Sequence, residues 1–450
     1  MQNHGQNEQL NIWWVSHYAS TPDQQYTVQY DLARRLVGKG HRVTFFSAGF
    51  SHYKFKEMRL REGESWRAEE YDGVRFVWIK TPPYKKNDWK RALNMCVFAW
   101  RAYWTAKELG ESPDVIIGTT VHPLASLSAY GVSVAKQRPF VFEVKDLWPL
   151  TIIQFGRLSA NSLIARGLSR LERFLACRAV KIMTVLPGAS EYFSRFGIPK
   201  ERIVWIPNGL DLSRYANLKP YSGQISGPCT LVYAGGHVQA FSLETVLLAA
   251  QIEQKNGNRA RFVFVGGGQE KPDLVQLAQD LELRNVEFRD TVPKSELYQV
   301  MEDADAFILS MQDLPELYRY GISFNKLCDY VAAGRPVLFA GNPSNNVVEE
   351  FNCGIVVPPQ DPPAFAAAIR KFEEMTTEQR AEMGRNGIRC ARERFDIAVM
   401  ADRLENMLIS VVNESLTPGE SMRQPVTENR HDRQAVQSSF TGVSSSASPQ

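Results

Sequence analysis

The sequence lacks the features that mark disulfide-stabilised, metal-binding or membrane-spanning proteins. Its six cysteines are scattered over 450 residues and form neither a C-x-x-C pair nor a cluster with histidine, which predicts reduced, mostly buried thiols in a cytoplasmic protein. It has no run of about eighteen apolar residues, and residues 1–10 are polar, so neither a membrane-spanning helix nor a signal peptide is expected. Any attachment to a membrane would be peripheral.

A strong charge imbalance is also missing. The 52 lysines and arginines nearly balance 49 aspartates and glutamates, and the net charge of +3 is too small to indicate a nucleic-acid partner. It still permits a basic face toward an anionic membrane. The first strand, residues 11–16, leads into a polar loop without the G-x-G-x-x-G fingerprint, so no dinucleotide cofactor is indicated.

What the sequence does contain is a repeated alternation of predicted strands and helices. Residues 11–16 read as a strand, 26–39 as a helix and 41–46 as a second strand, which predicts a parallel sheet with right-handed crossovers. The alternation restarts after a stretch rich in Gly, Ser and Pro. We therefore predict an α/β fold with domains at residues 10–212 and 229–415, a linker at 213–228 and a disordered tail at 416–450.

The most informative stretch is residues 315–340. It reads as a polar loop after a strand, a short helix from about Phe324 to Ala333, a stop at Gly334 and a new apolar strand. The loop and the helix start would lie just past the carboxyl end of a strand. Open α/β sheets bind their ligands at that position.

Five polar residues of this stretch suit a nucleotide diphosphate. Ser323, Asn325 and Lys326 gather at the helix start, where free backbone N–H groups next to Lys326 and the upstream Arg319 would favour a diphosphate. One turn further on, an inward carboxylate at Asp329 would suit the two hydroxyls of a ribose. An ordinary capped helix with solvated charges explains the same spacing, so both interpretations stay open.

Residues 319–337, RYGISFNKLCDYVAAGRPV, resemble the nucleotide-sugar loop of the family 4 retaining glycosyltransferases of GT-B fold. The run is most similar to the bacterial, fucosamine-transferase-like branch that builds surface polysaccharides, with Phe324 in the place of a proline. The resemblance implies two Rossmann-like parallel-sheet domains that face a central cleft. It also implies that Asp329, at the position of the second of the family's two glutamates, binds the donor ribose.

Two motifs of the first half resemble the same branch. Residues 17–22, HYASTP, are similar to H-Y-A-G-[ST]-P, and the resemblance places His17, Tyr18 and Ser20 on the acceptor side of the cleft. Residues 143–149, EVKDLWP, are similar to E-V-H-D-L-W-P, with a lysine in place of the histidine. The wider family uses a residue at this position to contact the transferred sugar.

This second motif supplies the candidate catalytic residues Glu143, Lys145 and Asp146, at a strand's carboxyl end. A lysine offers a positive charge and hydrogen bonds to a sugar hydroxyl, but it is not a neutral imidazole. Altered sugar preference and reduced activity are both expected consequences. The alternative interpretation is that Lys145 is solvated and that Asp146 caps the next segment.

The second half contains further candidates for binding the donor. The loop Gly235, Gly236 and His237 follows a strand and has no cation nearby, so its backbone N–H groups would bind phosphate while Arg319 and Lys326 supply the charge. The resemblance implies two further positions of the donor site, namely the glycine-rich turn at Gly267 and, near the base, Val292. Tight strand-to-helix geometry explains the glycine-rich turn equally well.

Residues 89–104 predict a helix dense in aromatic and basic residues. It is either a packed helix of the domain or a surface helix whose Lys85, Lys86, Trp89, Lys90 and Arg91 contact an anionic bilayer. Because apolar residues lie on more than one of its faces, packing is the favoured prediction. A packed helix with its basic end at a membrane stays open.

The resemblance implies a retaining glycosyltransferase that moves a sugar from a nucleotide-diphosphate sugar to a glycan or lipid-linked hydroxyl in surface polysaccharide biosynthesis. It would be of hexosyl or N-acetylhexosaminyl type, would need no metal or other cofactor, and would work in the cytoplasm, with peripheral contact at the inner membrane. Two alternatives remain. One is a nucleotide-sugar-binding scaffold impaired by Lys145, and the other is a nucleotide-sugar epimerase of the same fold.

Overall fold

The computed structural model describes residues 9–416 except 24–26, 53, 86–87 and 121, and it gives no description of the side chains of 294 and 295. Almost all of the predicted tail, 416–450, lies outside the described residues. Within the described part, no helix combines the length and the hydrophobicity that crossing a membrane requires.

The first domain is built on an eight-stranded sheet in the order β10-β9-β8-β7-β1-β2-β6-β5. Neighbouring strands are parallel except for the pair β5 and β6. All five residues of β1, NIWWV, are buried, as expected for a parallel strand covered on both faces. Two further strands, β3 and β4, form a short hairpin outside this sheet. The strands of the domain are β1 (Asn11–Val15), β2 (Arg42–Ala48), β3 (Phe50–Ser51), β4 (Lys56–Glu57), β5 (Trp66–Tyr71), β6 (Val74–Ile79), β7 (Val115–Thr120), β8 (Phe140–Val144), β9 (Lys181–Thr184) and β10 (Ile203–Trp205).

Helices cover both faces of this sheet. The connections from β6 through β9 place α2, α3 and α5 over one apolar core, while α1 packs on the opposite face. The helix α2 buries Phe98 and Ala102 in that core but leaves Trp89 and Trp100 exposed, so the described part of the chain does not cover its second apolar face. The helices are α1 (Val28–Gly38), α2 (Trp89–Glu108), α3 (Pro123–Lys136), α4 (Leu150–Gln154), α5 (Leu163–Arg178) and α6 (Ala189–Ser194).

The second domain repeats the design with six parallel strands in the order β13-β12-β11-β14-β15-β16. Its strands are β11 (Thr230–Ala234), β12 (Arg261–Val265), β13 (Val286–Arg289), β14 (Ala306–Ser310), β15 (Val337–Ala340) and β16 (Gly354–Val357). Its helices are α7 (Leu243–Lys255), α8 (Lys271–Asp280), α9 (Lys294–Glu302), α10 (Pro315–Tyr318), α11 (Asn325–Ala332), α12 (Val347–Glu350), α13 (Pro362–Glu374) and α14 (Thr377–Arg394), followed by α15 (Ile397–Leu416).

The last helix, α15, returns to the first domain. Its buried residues, among them Ile397, Leu404 and Leu408, share one apolar core with β1, β2 and α1. The carboxylate of Glu405 accepts a hydrogen bond from His41 Nε2 at 2.9 Å and pairs with Lys39 Nζ at 2.5 Å. The predicted second domain, 229–415, therefore ends in a helix that packs on the first domain.

Both sheets turn their carboxyl edges toward a cleft. In each sheet the strand order reverses at one point, between β1 and β7 in the first and between β11 and β14 in the second, and ligands of open α/β sheets bind at such points. The predicted α/β fold with two parallel-sheet domains is confirmed. The loops after β1, β7, β8, β11 and β14 are the ones placed to bind ligands.

Candidate active site

Two glycine loops of the second domain lie against each other at the carboxyl edge of its sheet. The Gly235 N–H donates to Val265 O at 2.9 Å and the His237 N–H donates to Gly267 O at 2.8 Å. A Cβ at Gly266, whose φ is +139°, would lie 2.1 Å from the carbonyl oxygen of Gly235, so only glycine fits there. The backbone N–H groups of Gly235 and His237, which we predicted to bind phosphate, are therefore used between the two loops.

The third residue of this loop does not offer its side chain to a ligand. The ring of His237 is completely buried among Tyr233, Phe264 and Phe288, and burial lowers its pKa to about 4. Neither ring nitrogen has a hydrogen-bond partner among the described residues, so the neutral ring fills an aromatic pocket. Gly236 is exposed; its carbonyl oxygen accepts a hydrogen bond from the Tyr233 hydroxyl at 2.6 Å, whereas its N–H has no partner in the part of the chain that the structure describes.

Lys326 stands directly beneath this loop. Its Nζ lies over the rings of Phe241 and Tyr233, 3.2 and 4.1 Å from their centroids, and bonds to the Tyr233 hydroxyl. A Cβ at Gly235 would come within 2.8 Å of the same nitrogen. Burial lowers the pKa of Lys326 well below its ordinary value, and no carboxylate in the described part of the chain pairs with it. The charged form of Lys326 therefore has no anionic partner among the residues that the structure describes.

Arg319 lies apart from Lys326, in an ion pair across the cleft. Its Nη2 is 2.5 Å from Glu191 Oε1 on α6 of the first domain, and both side chains are about half exposed. Next to this pair, the Gly188 N–H donates to the carbonyl oxygen of Tyr320 at 3.0 Å. The loop before α11 therefore contacts the first domain, and Arg319 would reach a diphosphate only by leaving Glu191.

The start of α11 is held by the exit of the first domain. The backbone N–H of Asn208 donates to Ser323 Oγ at 3.3 Å, and Asn208 Nδ2 donates to the Ser323 carbonyl at 3.1 Å. The hydroxyl oxygen of Ser323 therefore already accepts a hydrogen bond from the backbone of the first domain. Asn325, the first residue of α11, is exposed.

Asp329 lies one turn along α11, half-buried. Its Oδ1 accepts a hydrogen bond from the hydroxyl of Tyr215, a linker residue whose ring packs edge-on against Tyr298 at 5.4 Å. Val292, which follows β13, is half-buried against the core of the second domain. The linker thus orients the carboxylate that we predicted to bind ribose.

In the first domain, Glu143 is fully buried at the end of β8. One carboxylate oxygen, Oε2, accepts hydrogen bonds from Trp14 Nε1 at 2.8 Å, Gln29 Nε2 at 2.6 Å and Thr119 Oγ1 at 2.5 Å. The other, Oε1, lies 2.8 Å from Lys145 Nζ. With no solvent contact, Glu143 can act on a substrate only through Lys145.

The next two residues of the motif do reach the cleft. Lys145 is partly exposed and is fixed by Glu143, while its backbone N–H donates to Thr120 Oγ1 at 3.1 Å. Asp146 is exposed to solvent, next to the partly exposed Lys145.

The acceptor-side prediction at the end of β1 meets a buried histidine pair. His17 Nδ1 lies 2.6 Å from His122 Nε2, and the Ala125 N–H donates to His122 Nδ1, so we assign the intervening proton to His122 Nε2. The ring of His17 stacks on Phe98 at 4.2 Å. Burial and the nearby charge of Arg91 lower the pKa of both histidines, that of His122 to about 3, so the pair is neutral.

Tyr18 and Ser20 continue this segment. The ring of Tyr18 stacks on His17 at 4.3 Å and is only partly exposed. The carbonyl oxygen of Ser20 accepts a hydrogen bond from Thr27 Oγ1 at 3.2 Å. Of the three predicted acceptor-side residues, Tyr18 and Ser20 are partly exposed and His17 is buried behind them.

Comparison with known proteins decides the family. Residues 26–209 match the glycosyl transferase 4-like domain and residues 229–374 match the glycosyl transferases group 1 domain, which together cover most of the chain. The chain belongs to the glycosyltransferases. It is 28% identical over 242 residues to the D-rhamnosyltransferase WbpZ of Pseudomonas aeruginosa and 25% identical over 206 residues to WcaL of Escherichia coli, named as a colanic acid biosynthesis glycosyltransferase.

The alignment with WbpZ covers 51% of this chain and 60% of WbpZ, and the alignment with WcaL covers 45% of this chain and 48% of WcaL. The chain thus spans about half the length of the curated relatives that it matches. Among solved structures, Anabaena HepE in complex with UDP and glucose aligns with a TM-score of 0.64, over 89% of this chain and all of the other, at 17% identity. The fold of this glycosyltransferase is GT-B, as the sequence predicted.

The candidate site contains residues that sequence reasoning missed. Tyr215 orients Asp329, Glu191 engages Arg319, and His122 completes the pair with His17. None of them belongs to a motif that we had singled out as a site. Their positions in the sequence were the available signal. Glu191 lies in the first turn of α6 and His122 directly precedes α3, and both helices follow strands at the same edge of the sheet.

Proposed function

We propose that this glycosyltransferase moves a sugar from a nucleotide-diphosphate sugar to a hydroxyl of a glycan or lipid-linked acceptor, with retention of configuration, in surface polysaccharide biosynthesis. The observation that carries the proposal is the ammonium group of Lys326. It is enclosed by two aromatic rings beneath the glycine loop and has no carboxylate partner in the described part of the chain. An anionic group placed there would offset the desolvation of the charge.

A diphosphate at this position would also meet the start of α11 and the open backbone of Gly236. In the proposed reaction the bond between the sugar carbon and the diphosphate oxygen breaks, and a bond to the acceptor oxygen forms. The acceptor proton leaves with the diphosphate. Lys326 and the helix N-terminus stabilise the charge that develops on the leaving group, which is electrostatic catalysis. No metal is needed in this proposal.

The remaining site residues have proposed roles on either side of the diphosphate. Asp329, oriented by Tyr215, binds the ribose hydroxyls, and Val292 lies near the base. Across the cleft, Lys145 contacts the transferred sugar while Glu143 holds it in place and Asp146 lies alongside. Tyr18 and Ser20 contact the acceptor, with His17 behind them.

The substrate class rests on the relatives. HepE binds UDP and glucose, WcaL is named for colanic acid biosynthesis and WbpZ transfers D-rhamnose. We therefore propose a hexosyl or N-acetylhexosaminyl donor and a growing surface polysaccharide as the acceptor. A lipid-linked acceptor would place the enzyme in the cytoplasm at the inner face of the plasma membrane.

Donor turnover tests the proposal. Hydrolysis and transfer are measured with a panel of UDP-, GDP- and dTDP-sugars for the wild type, Asp329→Ala, Asp329→Asn and Lys145→His. We expect turnover of one donor by the wild type and a loss of at least about 100-fold in donor affinity for Asp329→Ala, since two hydrogen bonds to a charged group are lost. Asp329→Asn, which still accepts from Tyr215, should lose less.

The products separate the alternatives. A new glycosidic bond with the donor's anomeric configuration, read by proton NMR, supports a retaining transferase. An epimerised sugar formed without any acceptor would identify an epimerase instead. A protein that binds nucleotide but turns over no donor unless Lys145 becomes histidine would be the scaffold.

A further inference from the structure

The helix α2 has a second apolar face that nothing in the described part of the chain covers. Opposite its buried side, an outward stripe recurs at intervals of three and four residues and includes Trp89 and Trp100, 69% and 63% exposed. Exposed tryptophans in a helical stripe are rare on the surface of a monomer. The full stripe is Trp89, Leu93, Cys96, Trp100 and Trp104.

The helix α5 presents arginines together with apolar residues. Between residues 157 and 178 the sole acidic residue is Glu172, which is buried and receives a hydrogen bond from Tyr192. Leu163 is 82% exposed and Ile164 66%, at the start of the helix. The exposed surface of this segment therefore carries only positive charge, from Arg157, Arg166, Arg170, Arg173 and Arg178.

Both helices belong to one outer layer beside the cleft. The helix α3 packs against each of them, and Tyr130 of α3 meets Phe174 of α5 edge-on at 5.2 Å. Because α2 and α5 start after β6 and β8, their first residues lie at the carboxyl edge of the sheet, where the cleft is. Trp89 and Leu163 are thus at the rim of the cleft, and we name this layer the α2–α5 face.

We propose that the α2–α5 face docks the enzyme on an anionic lipid bilayer. Tryptophan rings partition to the lipid–water interface, and arginines bind anionic headgroups through charge-assisted hydrogen bonds. A second copy of this chain fits the face less well, since a symmetric dimer would bring its arginines together. The inference extends the proposed function, because it brings the mouth of the cleft to the membrane that holds a lipid-linked acceptor.

Vesicle binding tests the proposal without any catalytic readout, so its failure is distinct from a failure of the proposed function. The full chain is sedimented with vesicles of phosphatidylcholine alone and with about one third phosphatidylglycerol. We expect binding to the anionic vesicles at least about tenfold tighter, and weaker at high salt. Equal binding to both vesicles, or none to either, would overturn the proposal.

Matched variants locate the contact. Arg170→Glu with Arg173→Glu should weaken anionic-vesicle binding about tenfold or more, and Trp100→Ser with Leu163→Ser should weaken it several-fold. Lys255→Glu with Arg259→Glu makes the same charge change on exposed residues of the second domain and should lose far less.

Thermal unfolding and light scattering complete the test. Unfolding temperatures near that of the wild type establish that the variants fold. Variants of the face that bind vesicles like the wild type would overturn the proposal. So would a wild-type dimer that Trp100→Ser with Leu163→Ser dissociates, since the face would then be a subunit interface.

Discussion

Replacing Lys326 with methionine should weaken donor binding and stabilise the free enzyme. Methionine keeps the apolar stem that packs on Tyr233 and Phe241 but removes the ammonium group. A hydrogen bond to a charged group contributes about 1.5–3 kcal/mol, so the nucleotide Kd should rise about 10- to 150-fold. The free energy of unfolding should rise by about 1 kcal/mol, because a charge that lacks an anionic partner is no longer desolvated.

The lowered pKa of Lys326 adds a pH signature. Its ordinary pKa of 10.5 is depressed in the free folded state, so the unfolded chain binds more protons between the two values and stability rises with pH over that window. A diphosphate would restore the higher pKa. Nucleotide binding by the wild type should therefore take up protons in that window, whereas Lys326→Met should take up none.

Calorimetry measures both effects. UDP, GDP and dTDP are titrated in two buffers of different ionisation enthalpy at several pH values below 10.5, the ordinary pKa of lysine, with the exposed Lys255→Met on α7 as the control. Unchanged nucleotide affinity in Lys326→Met would refute the placement of the diphosphate at this ammonium. A variant less stable than the wild type would refute the claim that the charge is uncompensated.

Three further predictions concern the cleft and the domain contacts. Glu191→Gln removes the ion pair across the cleft and leaves Arg319 with its longer contact to Glu316, at 3.9 Å, so donor KM should fall about twofold while the free energy of urea unfolding changes by less than about 1 kcal/mol. Leu404 of α15 is buried against the first domain, so Leu404→Ala should lower the free energy of urea unfolding by about 2–5 kcal/mol. The exposed Val399→Ala on the same helix should lower it by less than about 0.5 kcal/mol. Burial raises the pKa of Glu172 to about 8, so its contribution to stability falls as pH rises from 4.5 to 8, and Glu172→Gln should flatten urea-unfolding stability over that range.

The fold was predictable because it depends on the periodicity of apolar residues and on residues that end helices and strands. Continuous apolar strands such as NIWWV, helices of ordinary length and glycine stops such as Gly334 specify doubly covered parallel sheets. The order of the strands and the return of α15 to the first domain depend on contacts far apart in sequence, such as His41 with Glu405. No local pattern encodes those pairings.

The candidate site was predictable in its positions and less so in its side chains. The motif placed Lys326 at the start of α11 and Lys145 at the end of β8, because strand ends and helix starts are local features. Whether a side chain reaches the cleft depends on neighbours from other segments. His237 is enclosed by three aromatic rings, and Arg319 is engaged by Glu191 of the other domain.

The helix α2 shows the same limit. Apolar residues on more than one face predicted a packed helix, and one face is packed around Phe98. The opposite stripe, which includes Trp100, is exposed. Apolar residues around a helix can therefore indicate one face packed in the core and another face open to solvent. Only the positions of β6, β7 and α3 decide which stripe faces the core.

The geometry around Lys145 bears on whether the departure from the family motif impairs catalysis. Glu143 Oε1 and Lys145 Nζ lie 2.8 Å apart, so the charge of the lysine is paired within the first domain. The three hydrogen bonds to the other oxygen of Glu143 show a carboxylate built into the first domain to hold a partner. We therefore infer that Glu143 holds the lysine at the cleft, where its N–H donors can bind the sugar, which favours an active transferase over the scaffold. The swap Lys145→His would leave Glu143 buried without a cation, so low activity in that variant alone does not argue that the wild type is inactive.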